Sequence, residues 1–245
     1  MRKNFKLTIQ YDGTDFHGWQ VQAKGRTVQG DIEKALAKIY PEEKINLIGA
    51  GRTDAGVHAL ALTANINLSS KLTSNQLNQA LNGNLDRDIQ ISSITEVEEN
   101  FHARFSATAR EYEYRLVKYF SPINRHFSTT LKWDVDSEKI DKCVDLLLGE
   151  HDFSSFCKAN AEVNNKICTV FVAKWSELND QCIFTIKANR FLQHMVRFLV
   201  GTIIEVGRGR YSVLDFKKLL NNESSNKTVV RAPSQGLFLK KVYYD

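Results

Sequence analysis

The stretch Gly49-Ala50-Gly51-Arg52-Thr53-Asp54-Ala55-Gly56-Val57-His58-Ala59 holds the side chains best suited to chemistry. Three glycines in the eight residues from Gly49 to Gly56 let a backbone turn sharply and approach a ligand. The side chains of reach are Arg52, Asp54 and His58. A carboxylate set on such a loop can act as a nucleophile or a base when a cation keeps it ionised. The other reading of Asp-Ala-Gly is a tight turn in which Asp54 bonds its own backbone.

Two residues in the second half fit the same chemistry. In Arg110-Glu111-Tyr112-Glu113-Tyr114-Arg115-Leu116 a strand puts Arg110, Tyr112, Tyr114 and Leu116 on one face, which offers Tyr112 as a platform for a planar group. Arg197 stands among Val196, Phe198, Leu199 and Val200, where a guanidinium is costly to desolvate unless it meets an anion. It suits the part of the cation that keeps Asp54 ionised. No second catalytic carboxylate in a motif, metal triad, P-loop or dinucleotide fingerprint is present, so glycosidase, phosphoryl-transfer and redox chemistries lack parts. Cys143, Cys157, Cys168 and Cys182 form no C-x-x-C pair, and neither a zinc site nor a disulfide framework is expected.

The elements that must hold these residues are legible from periodicity. Phe5, Leu7, Ile9 and Tyr11 alternate as a strand that ends at Asp12-Gly13. Thr14 to Gln22 reads as a loop whose Phe16 and Trp19 either contact RNA bases or plug the core. Val28, Ile32, Leu36 and Ile39 follow Thr27 at helical spacing. Ile45, Leu47 and Ile48 lead as a buried strand into the Asp54 loop, and Leu62, Ala64, Ile66 and Leu68 leave it as another. Ser74 is a candidate cap for a helix carrying Leu77 and Leu81, and strand spacing resumes over Ile89 to Val97. The first half therefore reads β-α-β-β-α-β, a ferredoxin-like order.

In the second half Asp136 can cap a helix and His151 to Lys166 reads as a polar loop. Cys168 to Val172 and Cys182 to Ala188 suggest a hairpin across Glu177-Leu178-Asn179-Asp180. A long helix has Leu192, Met195, Val196, Leu199, Ile203 and Val206 as its core stripe, and a last strand follows Arg231 to Leu239. The expected division is 1–106 and 107–245. Residues 1–106 carry 12 Lys+Arg and 12 Asp+Glu, whereas 107–245 carry 21 and 16, so the net +5 sits in the second half and suits an anionic partner. No run of ~18 apolar residues and no signal-peptide core occurs, so the expectation is a soluble, cytoplasmic protein.

Seven ordered motifs carry a resemblance to the bacterial TruA family of tRNA pseudouridine synthases. They are Tyr11-Asp12-Gly13-Thr14 with Gly18-Trp19-Gln20-Val21-Gln22, Thr27-Val28-Gln29-Gly30, Gly51 to Ala59, Phe101-His102-Ala103-Arg104-Phe105, Ala109 to Tyr114, Phe191 to Arg197, and Ala232-Pro233 with Gly236-Leu237. The resemblance implies an α+β pseudouridine synthase fold, two ferredoxin-like halves around a mixed, mostly antiparallel sheet. It implies Asp54 as the catalytic nucleophile, Tyr112 stacked on the target base, Arg197 paired with the Asp and Arg52 assisting base flipping. It further implies an isomerase without cofactor or metal, a homodimer that grips tRNA, and action on uridines 38, 39 and 40 of the anticodon stem-loop. Leu60-Ala61-Leu62-Thr63, Asp86 and Ser234-Gln235 depart from the usual pattern, away from those residues. The alternatives are a non-catalytic tRNA-binding module of the same fold and a uridine-acting glycosidase.

Overall fold

The computed structural model describes residues 2–158 and 165–245. They fall into two compact units, Met1–Thr108 with Phe238–Asp245, and Ala109–Leu237.

The first unit is built on β1 (Lys3–Tyr11), α1 (Val28–Ile39), β2 (Ile48–Gly49), β3 (His58–Leu68), α2 (Ser74–Asn82) and β4 (Ile89–Val97). Strand β1 lies between β3 and β4, antiparallel to both, with Leu7 opposite Ala64 on one side and Ile94 on the other. Its alternation sends Phe5, Leu7, Ile9 and Tyr11 into the core, where helix α1 adds Val28, Ile32 and Leu36. Thr27 caps α1 by accepting from the Gly30 N–H, as its position predicts. Helix α2 is capped by Thr73 rather than Ser74, because Gln76 sits three residues on and closes a capping box.

The free edge of β3 is divided between two strands. Short β2 runs antiparallel along Ala64 and Asn65, which gives the ferredoxin-like order β4-β1-β3-β2. The final strand, which becomes β10 below, runs parallel beside His58 and Ala59. The buried strand expected from Ile45 onward thus shrinks to two residues, and residues 238–245 group with the first unit although their place in the chain assigned them to the second half.

The second unit contains β5 (Ala109–Val117), β6 (Thr129–Thr130), α3 (Ser137–Asp145), β7 (Gly149–Asp152), a 3₁₀ turn at Ser154–Phe156, β8 (Ile167–Leu178), β9 (Gln181–Ala188), α4 (Met195–Gly207) and α5 (Val213–Leu220); β10 is Leu237–Tyr243. The antiparallel ladders run β5-β9-β8-β7, with β6 parallel to the end of β5. Strands β8 and β9 form the expected hairpin, turning at Asn179-Asp180 with Asn179 at φ 54°. His151 and Asp152, expected in a polar loop, instead pair with β8, and the 159–164 part of that loop lies outside the described residues. Asp136 caps α3 as expected.

Both units combine helices with mixed or antiparallel sheets, the α+β class the sequence implies. The four cysteines are free and buried, and burial pushes the thiol of Cys143 up to about 12 and those of Cys168 and Cys182 to about 11. Among the described residues no helix is long and apolar enough to cross a membrane.

Candidate active site

Asp54 lies in the connection between β2 and β3, and a second loop from Asp12 to Trp19 fixes that connection backbone to backbone. The Trp19 N–H donates to Thr53 O at 3.2 Å, the Gly56 N–H donates to Phe16 O at 3.2 Å, and a turn closes from the Val57 N–H to Asp54 O at 3.2 Å. Beneath them the Tyr11 hydroxyl meets Thr53 Oγ1 at 2.8 Å in the core. Gly18 makes the close approach possible: its φ is +94°, and a Cβ there would stand 2.5 Å from Thr53 O. Asp54 is left half-buried and Arg52 exposed on the same loop.

Gly18→Ala is therefore expected to lower stability by about 2 kcal/mol and to cut turnover by about tenfold or more, because the methyl group must push the Asp54 loop away. Thermal melting and turnover check this. A variant as active as the parent would show that the loop position is not critical.

Three outcomes were not legible beforehand. Phe16 and Trp19 are buried in the core, so the aromatic residues of the 14–22 loop brace the Asp54 loop instead of facing RNA. His58, counted among the presented side chains, is turned inward and only 1% exposed. Its Nδ1 accepts from the Gly13 N–H at 3.0 Å and its ring stacks on Phe238 at 4.6 Å, so it ties the Asp12-Gly13 turn and β10 to the foot of the loop.

Arg26 is the third. Its guanidinium bonds Asp31 at 2.6 Å, Asp86 at 3.0 Å and Asp88 at 2.5 Å, and covers the Phe16 ring at 4.3 Å. The Asp88 hydrogen bond, with help from Asp31, raises its pKa above the ordinary guanidinium value. The far end of the 12–26 loop is thereby locked to the start of β4, and Asp86, a departure from the family pattern, has a partner. Three carboxylates spread over 57 positions of sequence gave no local signal.

In the second unit Tyr112 sits on β5 opposite Ile186, buried, with the Phe191 ring edge-on to it at 4.9 Å and 80°. That contact fixes the ring plane, which a stacking platform requires. On the same face Tyr114 donates to Pro233 O at 2.8 Å and meets Thr129 Oγ1 at 2.7 Å; burial pushes its phenol pKa far up. The opposite face carries Glu113 bonded to Arg115, as the strand period predicts.

Arg197 is half-buried in the first turn of α4. Its Nε donates to Ala232 O at 2.8 Å, while its own carbonyl accepts from the Ala232 N–H at 2.9 Å. One turn on, Gly201 lets the same segment lie against the helix, since a Cβ there would be 2.2 Å from Val230 O. The helix starts at Met195, not at Leu192, because His194 adopts φ 66°. Arg197 also lies within electrostatic reach of Tyr114, two residues along β5 from Tyr112. Among the described residues no group of three or more His, Cys, Asp or Glu side chains could hold a metal ion.

A family model described as tRNA pseudouridine synthase matches residues 7–106 and 144–245. A protein named tRNA pseudouridine synthase A from Pelodictyon phaeoclathratiforme is 42% identical over 243 residues, covering 99% of this chain and all of its own length. Its namesake in Brachyspira hyodysenteriae is 40% identical over 98% of each chain. A third, from Latilactobacillus sakei subsp. sakei, is 38% identical over the whole of both. With a match across both units, which includes the Asp54 loop, the start of α4 and the Ala232 segment, this chain belongs to the tRNA pseudouridine synthase family.

Proposed function

We propose that this tRNA pseudouridine synthase isomerises uridines 38, 39 and 40 in the anticodon stem-loop, with Asp54 as its nucleophile, and works as a cytoplasmic homodimer. The observation that carries the reading is the half-buried Asp54 carboxylate on a turn clamped by Tyr11, Phe16 and Trp19. A turn so restrained offers its carboxylate from a fixed point of the backbone, which favours one geometry of attack.

The reaction breaks the C1′–N1 bond, turns the uracil and joins C1′ to C5, with loss of the C5 proton and gain of one at N1. The base must first leave its stack, at a cost of a few kcal/mol. In the proposed division of labour Arg52 helps extrude it, Tyr112 stacks on its face, and Arg197 is the cation that the family resemblance pairs with the nucleophile.

Tritium release from tRNA labelled with [5-³H]uridine tests the chemistry, and mapping of the modified positions tests the site. A tRNA-binding module without activity releases no tritium, and a glycosidase leaves an abasic site with the label still on uracil. Either result rejects the proposal, and sedimentation of the free protein tests the dimer.

Tyr112→Phe should keep nearly full activity, since the ring and its Phe191 contact survive. Tyr112→Leu should lose about tenfold or more, the loss expected when a stacking ring is removed from under a base. Equal losses in both would mean that the hydroxyl, not the ring, matters.

A further inference from the structure

The chain from Lys118 to Ser128 leaves the end of β5 and returns beside it, since Leu116 pairs with Thr129 and Val117 with Thr130. A surface loop with such close ends is an Ω-loop, a type that is frequently functional. It is ordered from within: the Asn124 N–H donates to Ser121 Oγ at 3.3 Å, the Phe127 N–H and the Ser128 hydroxyl donate to Asn124 O, and the Arg125 guanidinium donates to Pro122 O.

This loop sends its large apolar groups outward. Tyr119 is 72% exposed, Phe120 69% and Ile123 83%. Scattered apolar residues are ordinary on a surface, but several on one ordered loop mark an interaction site. The charges say which partner fits. From residue 118 to 133 the sequence contains no Asp or Glu; of its cations Lys118 lies 3.6 Å from Glu177, and Arg125 and Lys132 add two more. Protein interfaces are depleted of charge at their centres, whereas single-stranded nucleic acid is held by rings that stack on bases beside cations that meet phosphates. Trp133, at the end of the same stretch, already takes a planar cation on its face, the Arg208 guanidinium 3.4 Å from the ring centroid.

We propose that the 118–128 loop is a second contact for RNA, in which Tyr119 and Phe120 stack on unpaired bases while Arg125 and its neighbours meet the backbone. The stretch lies in the 107–143 region that the family model leaves unmatched. The inference rests on tRNA being the substrate. The loop works on affinity and not on the chemical step.

The test uses full-length protein and unmodified tRNA transcript, with affinity measured against salt and single-turnover tritium release measured at saturating protein. Replacing both Tyr119 and Phe120 by Ala should weaken binding about tenfold or more, with the saturated rate changed less than about twofold and the melting temperature unaltered. Phe120→Tyr should bind like the parent, whereas Phe120→Leu, apolar but not planar, should not. Arg125→Gln should reduce the salt slope by about one counterion.

Parental affinity in the double Ala variant overturns the proposal. So does full rescue by Leu, or a change of that variant from dimer to monomer, either of which assigns the surface to protein contact. If the parent itself releases no tritium, the functional reading fails first; if the parent is active and only the loop variants behave as wild type, this proposal fails alone.

Discussion

Asp54→Asn should reduce tritium release by on the order of a thousandfold or more, the scale of loss when a nucleophile is removed from an otherwise intact site. The amide is nearly isosteric with the carboxylate, and the loop is held through other atoms: Thr53 O, Thr53 Oγ1, Asp54 O and the Gly56 N–H. The melting temperature and the affinity for tRNA should therefore stay close to those of the parent. A drop in rate accompanied by loss of folding would place Asp54 among the residues that hold the turn, which is the alternative its Asp-Ala-Gly setting offers. Turnover above a tenth of the parent would remove it from the nucleophile's role.

Local signals told truly about local structure. The period-two run of β1, the caps Thr27 and Asp136 and the β8–β9 hairpin rest on contacts between near neighbours in sequence, and each appears where the pattern placed it, with the turn expected over Glu177–Asp180 tightened to Asn179-Asp180. What escaped depends on distant partners. Nothing near Ile45 shows that β10, almost two hundred positions later, takes the His58-Ala59 end of the β3 edge and that β2 pairs only with Ala64 and Asn65. Nothing beside Arg26 points to Asp88, and the inward turn of His58 depends on Gly13 and Phe238. The turn that carries Asp54 was legible because glycine density needs no tertiary context, and the structure leaves that carboxylate half-buried on it. The bracing by Phe16 and Trp19 was not, because a buried and an RNA-facing aromatic look alike in sequence.

Arg197 is where the local geometry and the proposed chemistry make different demands, so its variants should separate them. Its Nε is committed to Ala232 O, which leaves the far side of the guanidinium to interact elsewhere. Arg197→Met removes both the positive charge and that bond, and leaves a carbonyl next to the helix without this donor. A stability loss of about 1–2 kcal/mol is expected from the bond alone. If Arg197 is also the cation that supports the nucleophile, the single-turnover rate at saturating tRNA should fall by about a hundredfold or more, as when one preorganised charge partner is taken from a reacting centre. Arg197→Lys restores the charge but not the planar fork that can bond Ala232 and a carboxylate at once, so it should recover little of the rate. In an Asp54→Asn background Arg197→Met should cost no further activity, because the partner it serves is already neutral and the two losses are coupled. A peripheral phosphate contact behaves otherwise: the saturated rate holds, Lys substitutes well for Arg, and affinity falls with a salt slope reduced by about one counterion. An unchanged rate in Arg197→Met with that smaller slope would remove Arg197 from the chemistry and leave it as a clamp on the Ala232 segment that also touches RNA.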